Sequence, residues 1–170
     1  MENPDSYEFY FLGGENNIYF FVTQHDIAYE VKLKPFPYLF DSEEIYASYI
    51  YEFIIAVYSN PTNHTPPLDK GIAFTIATIF DDFYQRFDKT ITVYICDSSD
   101  SKQLARQRKF SSWFLSFRNE AYFKSDAVLI SEDGEIVPVS IIFRRDNPYK
   151  YQIIQAFERI TDGYERGGKD

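Results

Sequence analysis

The residue types able to do chemistry concentrate in one stretch, Ile91–Phe117. An apolar run, Ile91–Cys96, leads through Asp97-Ser98-Ser99-Asp100-Ser101 into a basic, aromatic segment carrying Lys102, Arg106, Arg108 and Lys109. A strand end that feeds a helix N-terminus points free backbone N–H groups outward, and anions bind there. Here Asp97 and Asp100 occupy that place, and carboxylates so placed satisfy the N–H groups themselves. Capping is the favoured role for the pair. Holding a magnesium ion, or acid–base chemistry, is the other. Asp-x-x-Asp is a weak motif for either.

Arg106 is the sharpest candidate. At about 100° per residue it falls on the helical face made by Phe110, Trp113, Phe114 and Phe117. Lys102 and Lys109 lie at the margin of that face, while Arg108 and Arg118 point elsewhere, so the bases form no single stripe. A cation on an apolar face needs a partner, because an unpaired buried charge is very costly. Either Arg106 pairs with Asp97 or Asp100 and locks helix to strand, or it lines a pocket for an anionic ligand. Proximity in sequence favours the pair. The candidate binding set is therefore Asp97, Asp100, Lys102, Arg106, Arg108 and Lys109, and no catalytic residue is assigned.

Other chemistry is thinly supplied. His25 and His64 have no partners at ligand spacing, and one cysteine cannot build a cysteine-rich zinc site. No metal and no cofactor are expected. Cys96 reads as a core thiol. It precedes a helix N-terminus, which lowers thiol pKa values, but no base for a nucleophile can be named. Phosphate-binding glycine loops, GxSxG and HExxH are absent from the sequence.

The elements that must position these residues follow from periodicity and turn chemistry. Strands are expected at Tyr7–Leu12, Asn17–Thr23 and Ile27–Leu33, divided by Gly13-Gly14-Glu15-Asn16 and Gln24-His25-Asp26. The first two are aromatic on both faces, so they are covered on both sides or hold out an aromatic face. Residues 42–58 are ambiguous: Asp41 with Glu44 resembles a capping box, while Phe53–Tyr58 is β-branched and aromatic, and a strand at 49–58 is chosen. Asp69 caps a helix over 70–87 whose apolar face is Ile72, Ile76, Ile79, Phe80, Phe83 and Phe87. Ile91–Cys96 is a central strand, followed by a helix to about Arg118. Ala127–Ser131 and Ile136–Arg145 form a hairpin around Asp133-Gly134, and Pro138 suggests an edge position or a bulge for its second strand. Asn147-Pro148 opens a last helix with Pro at its first position, and Gly163 ends it.

The order β-β-β-β-α-β-α-β-β-α clusters strands instead of alternating them with helices. The class is α+β: a largely antiparallel sheet of about seven strands with three helices on one face. One domain over residues 1–164 is expected, with 165–170 as a frayed tail.

Charge and composition narrow the partners. The 170 residues carry a net charge of −9, and residues 1–60 hold ten acids against two bases. Acidic surfaces repel phosphate backbones, so nucleic acid is disfavoured except through Lys102–Arg118. Aromatics reach 19%; large rings fill cores and anchor interfaces. No apolar run of about 18 residues is present, and the acidic N-terminus is unlike a secretory signal. A cytoplasmic monomer is expected, away from membranes.

At Ile91–Asp100, at Arg106-Gln107-Arg108-Lys109-Phe110-Ser111-Ser112-Trp113-Phe114, at Tyr7-Glu8-Phe9, at Thr75–Ile79 and at Asp146-Asn147-Pro148 the chain resembles an uncharacterised, Bacteroidetes-type family of bacterial proteins, over nearly its full length. The resemblance implies no reaction, cofactor or catalytic residue. It does imply a setting, in toxin–antitoxin or defence loci. The function expected from all of this is a non-catalytic interaction module with a protein partner, a basic one. The alternative is a nucleic-acid-acting or nucleotide-binding enzyme built on the strand–turn–helix around residues 96–110.

Overall fold

Seven strands form one mixed sheet in the order β1-β2-β3-β4-β5-β7-β6. The computed structural model describes residues 5–40, 43–96, 101–116 and 120–167. The strands are β1 (Phe9–Gly13), β2 (Ile18–Val22), β3 (Ala28–Pro35), β4 (Ile50–Ser59), β5 (Ile91–Ile95), β6 (Tyr122–Ile130) and β7 (Ile136–Arg144), and the helices are α1 (Lys70–Arg86), α2 (Gln103–Ser116) and α3 (Lys150–Gly167). β1 to β4 make an antiparallel meander. The crossover through α1 sets β5 parallel to β4, and β5, β7 and β6 pair antiparallel. The α+β class and the element order match expectation. No helix is long and apolar enough to cross a membrane among the described residues.

The expectation that helices cover one face is corrected. α1 and α2 pack on one side, with Ile76, Ile79, Phe83 and Phe110 against Tyr19, Val31, Phe53 and Ile142. α3 packs on the other, with Ile153, Ala156 and Phe157 against Ile91, Val93, Val139, Ile141 and Phe143. The reason lies in β5 and β7, which are buried on both faces, Ile91, Val93, Ile141 and Phe143 on one and Thr92 and Ile142 on the other, and so require cover on both. β1 to β3 are covered chiefly on the α1 side, while the start of β4 is also buried on the α3 side through Ile50. Tyr19 and Phe21 are buried there, whereas Tyr10 and Leu12 are 53% and 65% exposed on the opposite face, where Phe20 meets Tyr58 edge-on.

Pro138 does not mark an edge. β7 lies inside the sheet, between β5 and β6. The Pro138 carbonyl accepts from Cys96 N–H at 3.0 Å, so the donor that proline lacks would face the last rung, just past the end of β5. The edge strand at this end of the sheet is β6, and it begins at Tyr122 rather than Ala127.

Helix ends follow side-chain chemistry. Asp69 caps α1 by accepting from Gly71 N–H at 2.8 Å. Tyr7 donates its hydroxyl to the other Asp69 oxygen, and its backbone N–H donates to Thr75 Oγ1 at 2.8 Å, which fastens the N-terminal segment to α1. Phe87 follows the last turn of α1 and is 44% exposed, so it leaves the buried face that Phe83 closes. Asn147 Oδ1 accepts from Tyr149 N–H at 2.9 Å, and α3 starts at Lys150, two residues after Pro148. α3 also runs through Gly163 to Gly167, because glycine permits a stop without imposing one. Asp41, half of the proposed capping box, lies outside the described residues, and β4 is a strand as chosen.

Candidate functional site

Where α1 and α2 meet over the sheet they leave a cleft of about 190 Å³. The sequence opens it with small side chains. Ala73 and Ala77, one turn apart on α1, fail to fill the space that Ile76 and Phe80 border. From α2, Phe110, Trp113 and Phe114 supply the facing wall at i, i+3 and i+4, and Tyr122 and Ile142 rise from the sheet. The rings are braced from behind. Phe110 lies 4.2 Å from Tyr94 and 5.8 Å from Phe53, centroid to centroid, and Phe80 lies 5.0 Å from Phe53.

One charged group lines the cleft among the described residues, Asp81 of α1. Its Oδ1 accepts from the Tyr122 hydroxyl at 2.7 Å. Burial, and then this bond, push the Tyr122 hydroxyl well above the ordinary tyrosine range. The site is thus an aromatic cleft with a single carboxylate, suited to an apolar group that carries a hydrogen-bond donor or a positive charge.

A second polar group lies beside it on the same side of the sheet. Tyr94, Ser140 and Asp126 stand opposite one another on β5, β7 and β6. Ser140 donates to Asp126 Oδ1 at 2.6 Å, and Lys124 pairs with the same oxygen while lying 3.3 Å from Ser111 Oγ of α2. Cys96, buried at the end of β5, shares a hydrogen bond with Tyr94. Burial raises the Cys96 thiol, and the cations Arg106 and Lys124 only partly oppose this. The thiol is therefore held protonated near neutral pH, which suits a core residue better than a nucleophile.

The residues singled out from sequence are only partly described. Asp97 and Asp100 lie outside the described residues, so their capping, ion-pair and metal roles stay proposals. Arg106 is half-buried, and its charge acts to lower the pKa of Tyr94 and Cys96 against the effect of their burial. Lys102 and Arg108 are exposed, and Lys109 is exposed with its ammonium 5.4 Å from the Trp113 ring. Phe110, Trp113 and Phe114 do share the face predicted for them. Of the acids of residues 1–60, Glu15 and Asp26 sit in the turns at opposite ends of β2.

Sequence reasoning missed Asp81 and Tyr122. The signal for Asp81 was present: it follows Ala77 by one turn, at the margin of the apolar stripe. Tyr122 carried none, because β6 was not expected to begin there. Among the described residues, no group of three or more His, Cys, Asp or Glu could hold a metal ion.

Fold and cleft together define an α+β domain with a mixed seven-stranded sheet and an aromatic cleft under two helices. The chain belongs to a family of unknown function (DUF6169), whose profile matches residues 68–159. That segment starts just before the Asp69 cap and ends within α3, so it contains every residue lining the cleft; β1 to β4 fall outside it, and the match is not full-length. No curated protein and no solved structure matches the chain.

Proposed function

We propose that the chain is a non-catalytic interaction module that binds a basic protein partner through the cleft between α1 and α2. The observation that carries this reading is the lining of the cleft: aromatic walls with one carboxylate, Asp81. The net charge of −9 adds a long-range attraction for a basic partner. The setting in this reading is the bacterial cytoplasm, as a monomer within a toxin–antitoxin or defence locus, and it rests on the sequence resemblance alone.

The test is co-purification from the native host of the parent chain and of Ala77→Trp, which fills the cleft. Mass spectrometry should find a basic partner held by the parent and lost by the folded variant. Its association rate should fall steeply between low and physiological salt. An identical set of bound proteins for both chains would refute the reading.

The enzyme alternative keeps one supporting observation, half-buried Arg106, whose charge acts on Tyr94 and Cys96. Calorimetric titration with nucleoside triphosphates tests it. Binding lost in Arg106→Met favours the enzyme, and no binding removes it.

A further inference from the structure

We infer that the cleft receives a lysine side chain of the partner, its methylene stem against the aromatic wall and its ammonium at Asp81. This rests on the interaction reading above and deepens it. Three observations select the occupant.

The first is size. Pockets for drug-sized ligands run to roughly 300–1,000 Å³, and this cleft has about 190 Å³. That is room for one side chain, not for a cofactor.

The second is the wall. Phe80, Phe110, Trp113 and Phe114 present ring surface to the cleft, with Tyr122 at its side. Aromatic faces attract cations and also take up methylene groups, so a group that is both apolar and cationic gains twice. An anion gains from neither.

The third is the form of the carboxylate. Tyr122 already donates to Asp81 Oδ1. A guanidinium pairs best as a two-pronged fork that uses both oxygens, whereas an ammonium is a compact charge satisfied by one. With Oδ1 engaged, Oδ2 suits the single-point donor. Lysine is therefore preferred over arginine.

Trp113 makes the test direct, because it is the chain's one tryptophan and it stands in the cleft wall. Its fluorescence is followed while the full chain is titrated with Nα-acetyl-lysine amide, with the same compound acetylated at the ε-nitrogen, with Nα-acetyl-arginine amide and with n-butylammonium. The lysine amide should shift the emission saturably and bind about tenfold more tightly than its neutral ε-acetyl form. Asp81→Asn, which can still accept from Tyr122, should lose that preference. Tyr122→Phe, which keeps the charge and frees Oδ1, should hold it while gaining affinity for the arginine amide.

Equal binding of the charged and neutral lysine forms would overturn the inference, as would an Asp81→Asn chain that still discriminates them. Butylammonium binding at least tenfold more tightly than the lysine amide would make this a small-amine site and overturn the partner assignment. If no lysine probe binds while Ala77→Trp still releases the native partner, the inference fails and the interaction reading stands.

Discussion

Tyr122 on the edge strand β6 donates its hydroxyl hydrogen to Asp81 of α1 at 2.7 Å, a bond between residues 41 apart in sequence. It ties the sheet edge to the helix in the wall of the cleft. Hydrogen bonds to charged groups contribute about 1.5–3 kcal/mol when shielded, and partial exposure reduces this. Tyr122→Phe should therefore cost about 1 kcal/mol or slightly more by urea denaturation, with no change in the slope of the transition. An unchanged midpoint would show that water replaces the bond at no cost.

Alkaline pH should unfold the protein through its buried tyrosines. Burial raises Tyr19, Tyr84 and Tyr122 well above the ordinary value of 10.0, with the Asp82 and Asp81 hydrogen bonds adding at Tyr19 and Tyr122, and burial pushes Tyr94 up to about 12. A folded pKa above the unfolded one means that the native state keeps a proton the unfolded chain has lost. Stability is therefore complete below pH ~10 and falls as pH rises beyond it, by about 1.4 kcal/mol per pH unit from fully buried Tyr84 alone. Phenolate absorbance should rise in two waves, the later one from the buried rings together with loss of structure. One reversible wave for all fifteen tyrosines would contradict this.

Tyr84→Phe should be among the costlier conservative changes. The hydroxyl is buried, donates to the Ile142 carbonyl at 2.6 Å and lies 2.7 Å from Thr92 Oγ1. Removing it strands two buried groups, at a cost of about 1–3 kcal/mol. Thermal melts read the loss. A Tm equal to the parent's would mean that the two groups find each other or a water molecule.

Gly71→Ala should destabilise, although alanine ordinarily improves a helix. A Cβ there would lie 2.7 Å from Tyr7 Cε2, 3.0 Å from Asp69 Oδ1 and 3.1 Å from the Asp5 carbonyl oxygen. The new methyl must displace the ring that holds the Asp69 cap, a loss of about 1–2 kcal/mol. Combining it with Tyr7→Ala relieves the clash, so the double variant should lose less than the sum of the two. A rise in Tm for Gly71→Ala would sink the account.

Cys96 should resist alkylation while the chain is folded. It is buried, and its thiol pKa is raised by that burial. Iodoacetamide should label it quickly only in denaturant. Arg106→Met removes a cation that favours the thiolate, so labelling of the folded chain should slow further or stay slow. Rapid labelling of the native parent would show that the end of β5 opens.

Local signals were legible because they are short-range. The Asp69 cap, the Asp133-Gly134 turn with Gly134 at φ +80°, and the stripe from Ile72 to Phe83 each depend on residues within a few positions. They determined the element order and the α+β class. The face shared by Phe110, Trp113 and Phe114 was legible for the same reason. The tertiary structure decided which strands are inner, which faces are covered and what the site contains. β5 and β7 are mostly apolar and buried on both sides, so they carry no clear period that says where helices go, and α3 settled opposite α1 and α2. The start of β6, Tyr122 to Asp126, mixes rings and charges as an edge strand can, and it reads as a loop until β7 pairs with it. Asp81 and Tyr122 belong to elements that chain order leaves unrelated. Only the packing of α1 against the β7–β6 edge brings carboxylate and hydroxyl together, because burial of two apolar faces fixes that placement and no local periodicity encodes it.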